Sequence, residues 1–181
     1  MHRVFIGIPV DQSAQRQINE LLGPIKSASR GIRWVPDHNR HLTLAFLGNR
    51  PAGVVENIVR SMDRAFQQEK VFQTGFSSLR RFPGSTGNII ALGFKTEAHL
   101  SHLYQVTQEL LVENGFEFKR TQFKPHITLG RFKKASRLST SLPQHTNISL
   151  QVGKITFYQS TLTDAGSIYL ALKETELSQS E

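Results

Sequence analysis

The chain has no cysteine. Disulfides, thiolate nucleophiles and cysteine-held zinc or iron–sulfur groups are therefore excluded. Long apolar runs are also missing. Val4–Ile8 falls far short of the roughly 20 apolar residues that a membrane-spanning helix needs. The first residues, Met1-His2-Arg3 and a brief apolar stretch, lack the length and the small-residue cleavage site of a signal peptide. The expectation is a cytoplasmic protein with no membrane contact. Acidic residues are the minority, 14 against 22 Lys plus Arg, for a net charge of +8. Such a field favours polyanions without naming one, and many soluble domains are basic without binding nucleic acid. What is present in quantity is phenylalanine, twelve residues within a 38% hydrophobic composition. In a chain of 181 residues that is enough for the core of a single domain.

Hydrophobic periodicity predicts a strand over Arg3–Val10 and a helix capped by Asp11 or Ser13 and running to Ser29. A short strand over Ile32–Val35 is broken by Pro36. Leu42–Leu47 reads as a strand closed by Gly48, and Pro51 opens a helix over Ala52–Gln68. Phe72–Phe82 and Asn88–Phe94 read as antiparallel partners around the turn cluster Pro83–Gly87. A third helix covers Glu97–Asn114. Phe116–Lys119 reads as a short strand and His126–Phe132 as a longer one. Lys133–Asn147 reads as a basic loop, Ile148–Gln159 and Ser167–Glu174 as late strands, and 175–181 as a flexible polar tail. Three helices among many strands, without βαβ alternation, predict an α+β fold with antiparallel sheets.

One pattern occurs twice. His41-Leu42-Thr43-Leu44 returns 85 residues later as His126-Ile127-Thr128-Leu129. On a strand, residues two apart share a face, so each His and Thr point one way and the apolar residues point into a core. In each half a helix precedes a short segment, a proline and the motif strand, which predicts a duplicated, pseudo-twofold architecture. Two such strands side by side would aim two imidazoles and two hydroxyls at one spot. An imidazole with its ordinary pKa of about 6.5 gives or takes a proton near neutrality. One ring can take a proton from water while the other gives one to a leaving alkoxide, as a phosphodiester requires. Thr43 and Thr128 can hold the non-bridging oxygens. This scheme needs neither metal nor cofactor. The spacing does not say which ring is the acid.

Taken with their surroundings, these residues resemble the 2H phosphoesterase superfamily, and within it the RNA 2′,3′-cyclic phosphodiesterases, also called 2′-5′ RNA ligases. The likeness is carried by Arg3–Pro9, by Arg33-Trp34-Val35-Pro36 leading into His41–Gly48, and by Phe123–Arg131. It extends over residues 3–174. The resemblance implies a single bilobal domain over residues 1–174, two antiparallel sheets lining a central groove, and helices outside. It implies hydrolysis of an RNA-terminal or nucleoside 2′,3′-cyclic phosphate to a 2′-phosphomonoester, with 2′-5′ joining of RNA ends as a side reaction. It implies His41 as proton donor and His126 as proton acceptor. The expected partners are RNA 3′ ends or small cyclic nucleotides, with no protein partner and a monomeric state. Two rival readings stand beside this one. One is a nucleotide- or RNA-binding module without turnover. The other is the same chemistry on another substrate, such as a cyclic ADP-ribose phosphate or a 2′-5′ oligoadenylate.

Around the motifs, Arg131 is a candidate phosphate clamp. Strict alternation turns it away from the histidines, toward an ion-pair role, unless a strand end or a bulge brings it back. Trp34, Phe82 and Phe132 are candidates for base stacking or, more simply, for core packing. Arg80-Arg81 and Lys133-Lys134 with Arg137 are either a groove rim or a solvated surface. His99 and His102 stand three apart on a predicted helix, a surface spacing unaccompanied by carboxylates. His38 is expected in an exposed loop.

Overall fold

The computed structural model describes residues 1–94, 97–117, 122–138, 141–143, 147–164 and 166–179, without the side chains of 134–138. Its elements in chain order are β1 His2–Pro9, α1 Gln12–Ala28, β2 Ser29–Trp34, a 3-10 turn Asp37–Asn39, β3 His41–Arg50 and α2 Ala52–Phe66. There follow β4 Phe72–Phe82, β5 Ile89–Phe94, α3 Ala98–Glu113, β6 His126–Leu138, β7 Ser149–Val152, β8 Lys154–Thr163 and β9 Gly166–Glu176. Asp11 caps α1, its carboxylate accepting from the amides of Ser13 and Ala14, while its other oxygen accepts from the Gln151 amide and ties the helix start to β7. The apolar stripes Ile18-Leu22-Ile25, Val55-Ile58-Met62-Phe66 and Leu100-Leu103-Leu110 are all buried, as helical spacing requires. No described helix is long and apolar enough to cross a membrane.

All the strand pairings of the larger array are antiparallel. The strands form one nine-stranded sheet in the order β7-β4-β5-β6-β3-β1-β8-β9, with β2 paired additionally to β6, and its two halves meet between β6 and β3. The junction is slender. The two motif strands pair at Leu42–Ile127, and both of these side chains are fully buried on the core side. In an antiparallel pair, one step either way from this contact sets His41 opposite Thr128 and Thr43 opposite His126.

The structure departs from the sequence expectations in four places. The segment Lys133–Leu138 is strand rather than loop, because β2 offers it a partner, with Ser29 opposite Leu138 and Arg30 opposite Arg137. The expected strand Ile148–Gln159 is two strands, β7 and β8, divided at Gly153. Phe116 and Glu117 are not in a strand, and Phe118 and Lys119 lie outside the described residues. Part of the expected flexible tail is held in place, and residues 180 and 181 lie outside the described residues. Thr175 and Leu177 are buried, and Ser178 exchanges backbone hydrogen bonds with Glu69 and Val71.

Candidate active site

A groove of about 490 Å³ runs over the β3–β6 junction, and His41, Thr43, His126, Thr128 and Arg131 all line it. The structure therefore brings all five sequence candidates to one cavity. Both rings are anchored alike. His41 Nδ1 lies 2.8 Å from the Asn39 carbonyl oxygen, and His126 Nδ1 lies 2.8 Å from that of Lys124. A carbonyl only accepts, so Nδ1 carries the proton in both rings and Nε2 is left to exchange protons.

Packing sets the ring planes. His41 is gripped by Phe5 at 4.6 Å and by the edge of Tyr169 at 5.2 Å. His126 stacks on Phe82 at 4.1 Å. Phe82 is thus the floor under a histidine, whereas Phe132 carries the Arg81 guanidinium at 4.2 Å. Gly7 pairs with Thr43, and a Cβ there would stand 2.8 Å from the Leu42 carbonyl oxygen. Only glycine lets β1 lie this close behind His41.

Arg131 reaches the groove by the route that alternation disallows. Against β5, Gly130 pairs with Ile90 but Thr128 pairs with Ala91, so Leu129 is an extra residue in β6. That bulge reverses the alternation beyond it. Arg131 then stands directly across from Arg33, which also lines the groove together with Arg3. Like charges facing each other across strands are unfavourable, and an anion between them removes the penalty. Sequence reasoning missed Arg3, Arg33 and the ring contacts of Phe5 and Tyr169, because no local spacing marks them. Trp34 lines the groove and also packs on Gly130, where a Cβ would stand 3.0 Å from its ring. Arg80 lies over Gly93, the strand neighbour of His126. The side chains of Lys134 and Arg137 lie outside the description. His102 pairs with Glu69 at 3.0 Å, His99 stacks on Phe72, and His38 is exposed.

Burial disfavours a charged imidazole and holds His41 down at about 4, with the charges of His126 and Arg131 adding to the effect against the Asn39 carbonyl. Burial lowers His126 too, and Arg80 and Arg131 add to it. Both rings are neutral at pH 7. A stability effect follows. Above pH 6.5 neither the folded nor the unfolded state protonates His41, and the fold keeps its full stability. Between 6.5 and about 4 only the unfolded chain binds that proton, so stability falls with pH by up to about 3 kcal/mol. Melting temperatures should drop over this window, and His41→Asn should flatten the slope. An equal slope in that variant would show that His41 is not buried as a neutral ring.

Comparison with known proteins finds relatives of one kind. A family profile described as LigT like phosphoesterase matches residues 8–89. An RNA 2′,3′-cyclic phosphodiesterase of Thermotoga maritima is 31% identical over 95% of this chain and 94% of its own length. One of Methanothermobacter thermautotrophicus is 27% identical over 92% and 94%. Among solved structures, E. coli LigT in apo form superposes with a TM-score of 0.78 at 27% identity, covering 98% of both chains. A protein of Thermus thermophilus gives a TM-score of 0.82 at 25% identity over 96% and 97%.

Proposed function

This chain belongs to the LigT-like phosphoesterases, the family of its RNA 2′,3′-cyclic phosphodiesterase relatives, and from that premise we propose that it hydrolyses RNA-terminal or nucleoside 2′,3′-cyclic phosphates to 2′-phosphomonoesters. The observation that carries this reading is the pair of identically anchored imidazoles facing one anion-ready groove. His126 Nε2 takes a proton from a water molecule, whose oxygen attacks phosphorus. The bond from phosphorus to the 3′ oxygen breaks, and His41 Nε2 delivers a proton to that oxygen. Burial lowers both rings first of all, and Arg131 acts on both; a bound phosphodiester anion offsets that penalty, and the division of labour between the rings follows the family resemblance. Thr43 and Thr128 hold the non-bridging oxygens, and Arg131 faces the anionic phosphoryl group.

The E. coli LigT relative has been solved with 3′-AMP and with phosphate, and ligands of that chemistry suit the groove of this chain. Both histidines come from one chain, so the site is complete in a monomer, and we assign it to RNA ends in the cytoplasm. The same chemistry accommodates 2′-5′ joining when a 5′-hydroxyl replaces water. A module that only bound nucleotides would have no use for a second anchored ring.

A substrate panel tests the reading. Nucleoside 2′,3′-cyclic phosphates should be hydrolysed with excess chelator present, and phosphorus NMR should place the product phosphate on the 2′ oxygen. A product carrying a 3′-phosphate, or turnover of 3′,5′-cyclic nucleotides alone, would sink it.

A further inference from the structure

A second cavity of about 640 Å³ adjoins the groove. Thr43, Phe46 and His126 line both, whereas His41 lines only the first. The cavity has a topological origin. β3 meets β6 at Leu42–Ile127, and beyond that point no described strand pairs with β3 on the β6 side. The opening is walled instead by α3, through Tyr104 and Gln108, and by Phe116 and Phe123.

Its lining is suited to a nucleic-acid strand. Phe46 is 75% exposed, a large bare aromatic face at the mouth shared by the two cavities. Phe123 stacks on Tyr104 at 4.3 Å. Lys124 and Arg50 supply two positive charges within the same walls, against the single carboxylate of Glu117. The Arg50 guanidinium lies over Phe116 at 4.8 Å, and its buried Nε has no hydrogen-bond partner among the described residues. Aromatic faces interleaved with cations, one of them carrying an unanswered buried donor, are the elements of single-strand recognition. From Thr43 to Arg50 the strand extends roughly 20 Å, further than one nucleoside needs.

We propose that this second cavity receives the 5′-hydroxyl end of another RNA strand and sets its terminal oxygen beside His126, where water stands during hydrolysis. The inference rests on the cyclic phosphodiesterase reading and gives it an acceptor site. The placement follows from in-line geometry. The cyclic phosphate and its leaving 3′ oxygen lie toward His41 in the first groove, so the attacking oxygen must come from the opposite, His126 side. In the joining step the 5′ oxygen bonds to phosphorus and its proton passes to His126 Nε2. The bond to the 3′ oxygen breaks, that oxygen takes a proton from His41, and a 2′-5′ phosphodiester results. Arg50 meets a backbone phosphate of the acceptor, and Phe46 and Phe123 meet its bases.

Gln108→Trp, which fills the cavity from α3, and Arg50→Gln, which removes its far cation, test the proposal together. Each variant is assayed for hydrolysis of 2′,3′-cyclic AMP, and for joining of a cyclic-phosphate-ended oligonucleotide to a 5′-hydroxyl oligonucleotide across a range of acceptor concentrations. Both should hydrolyse the mononucleotide within about twofold of wild type. Joining should fall about tenfold at low acceptor, the size of one lost charged hydrogen bond, with a matching rise in the half-saturating acceptor concentration. The proposal is overturned if joining is unchanged, if it falls only in step with hydrolysis, or if the wild type hydrolyses but joins at no acceptor concentration. A wild type that hydrolyses no cyclic phosphate overturns the underlying reading as well.

Discussion

His41→Ala and His126→Ala should each lower kcat on a 2′,3′-cyclic nucleotide by about 10²–10⁴, the usual loss when a positioned acid or base is removed. In free energy this is about 3–5 kcal/mol of transition-state stabilisation. KM should change much less, because Thr43, Thr128 and the facing arginines 33 and 131 remain in the groove. The double variant should be scarcely slower than the worse single one, since a proton relay with one end missing has already failed. The pH–rate profiles separate the roles. Loss of His126 should erase the acid limb, because a base must be deprotonated to act. Loss of His41 should erase the alkaline limb. The reverse assignment of limbs would exchange donor and acceptor, and full activity in both variants would dismiss the mechanism.

The second large effect is on stability. Arg40 has no exposed side-chain surface, and its guanidinium sits 2.7 Å from Asp37, which is half exposed. Gln15 accepts a further hydrogen bond from it at 2.9 Å. Burial lowers the pKa of Arg40, and the Asp37 charge opposes that shift. Asp37→Ala would therefore strand a buried cation. The expected cost is about 3 kcal/mol, the lower end for such a break because Asp37 is itself half in water. That corresponds to a fall in melting temperature of roughly 6–12 °C for a chain of this size. Adding Arg40→Met should restore part of the loss by removing the stranded charge. Activity should fall as well, because the Asp37–Asn39 turn carries the carbonyl that holds His41 Nδ1. Unchanged melting in Asp37→Ala would show that the pair contributes nothing to the fold.

Much of this molecule could be read from the chain. The three helices have apolar stripes at helical spacing and clear boundaries at Asp11, Pro51 and Gly115. The strand Phe72–Phe82 is observed over the predicted residues. The paired motif marks its own face by alternation. Other features depend on partners distant in sequence, which local pattern cannot reveal. Lys133–Leu138 is polar and looks like loop until β2 pairs with it. Arg131 points into the groove because of one extra residue opposite β5, and nothing in Ile127–Arg131 announces a bulge. Asp37 and Arg40 look like ordinary surface charges in a turn, yet Gln15 and Asn19 of α1 close over them. The second cavity exists only because β3 and β6 part company.

The narrow contact at Leu42–Ile127 has a kinetic meaning. In the proposed mechanism one reactive nitrogen belongs to the amino-terminal half of the polypeptide and the other to the carboxy-terminal half, so neither half owns a complete circuit for protons. Turnover becomes a ruler for how faithfully the halves dock, and a slip of even an ångström along that seam would register as lost rate before any loss of folded protein.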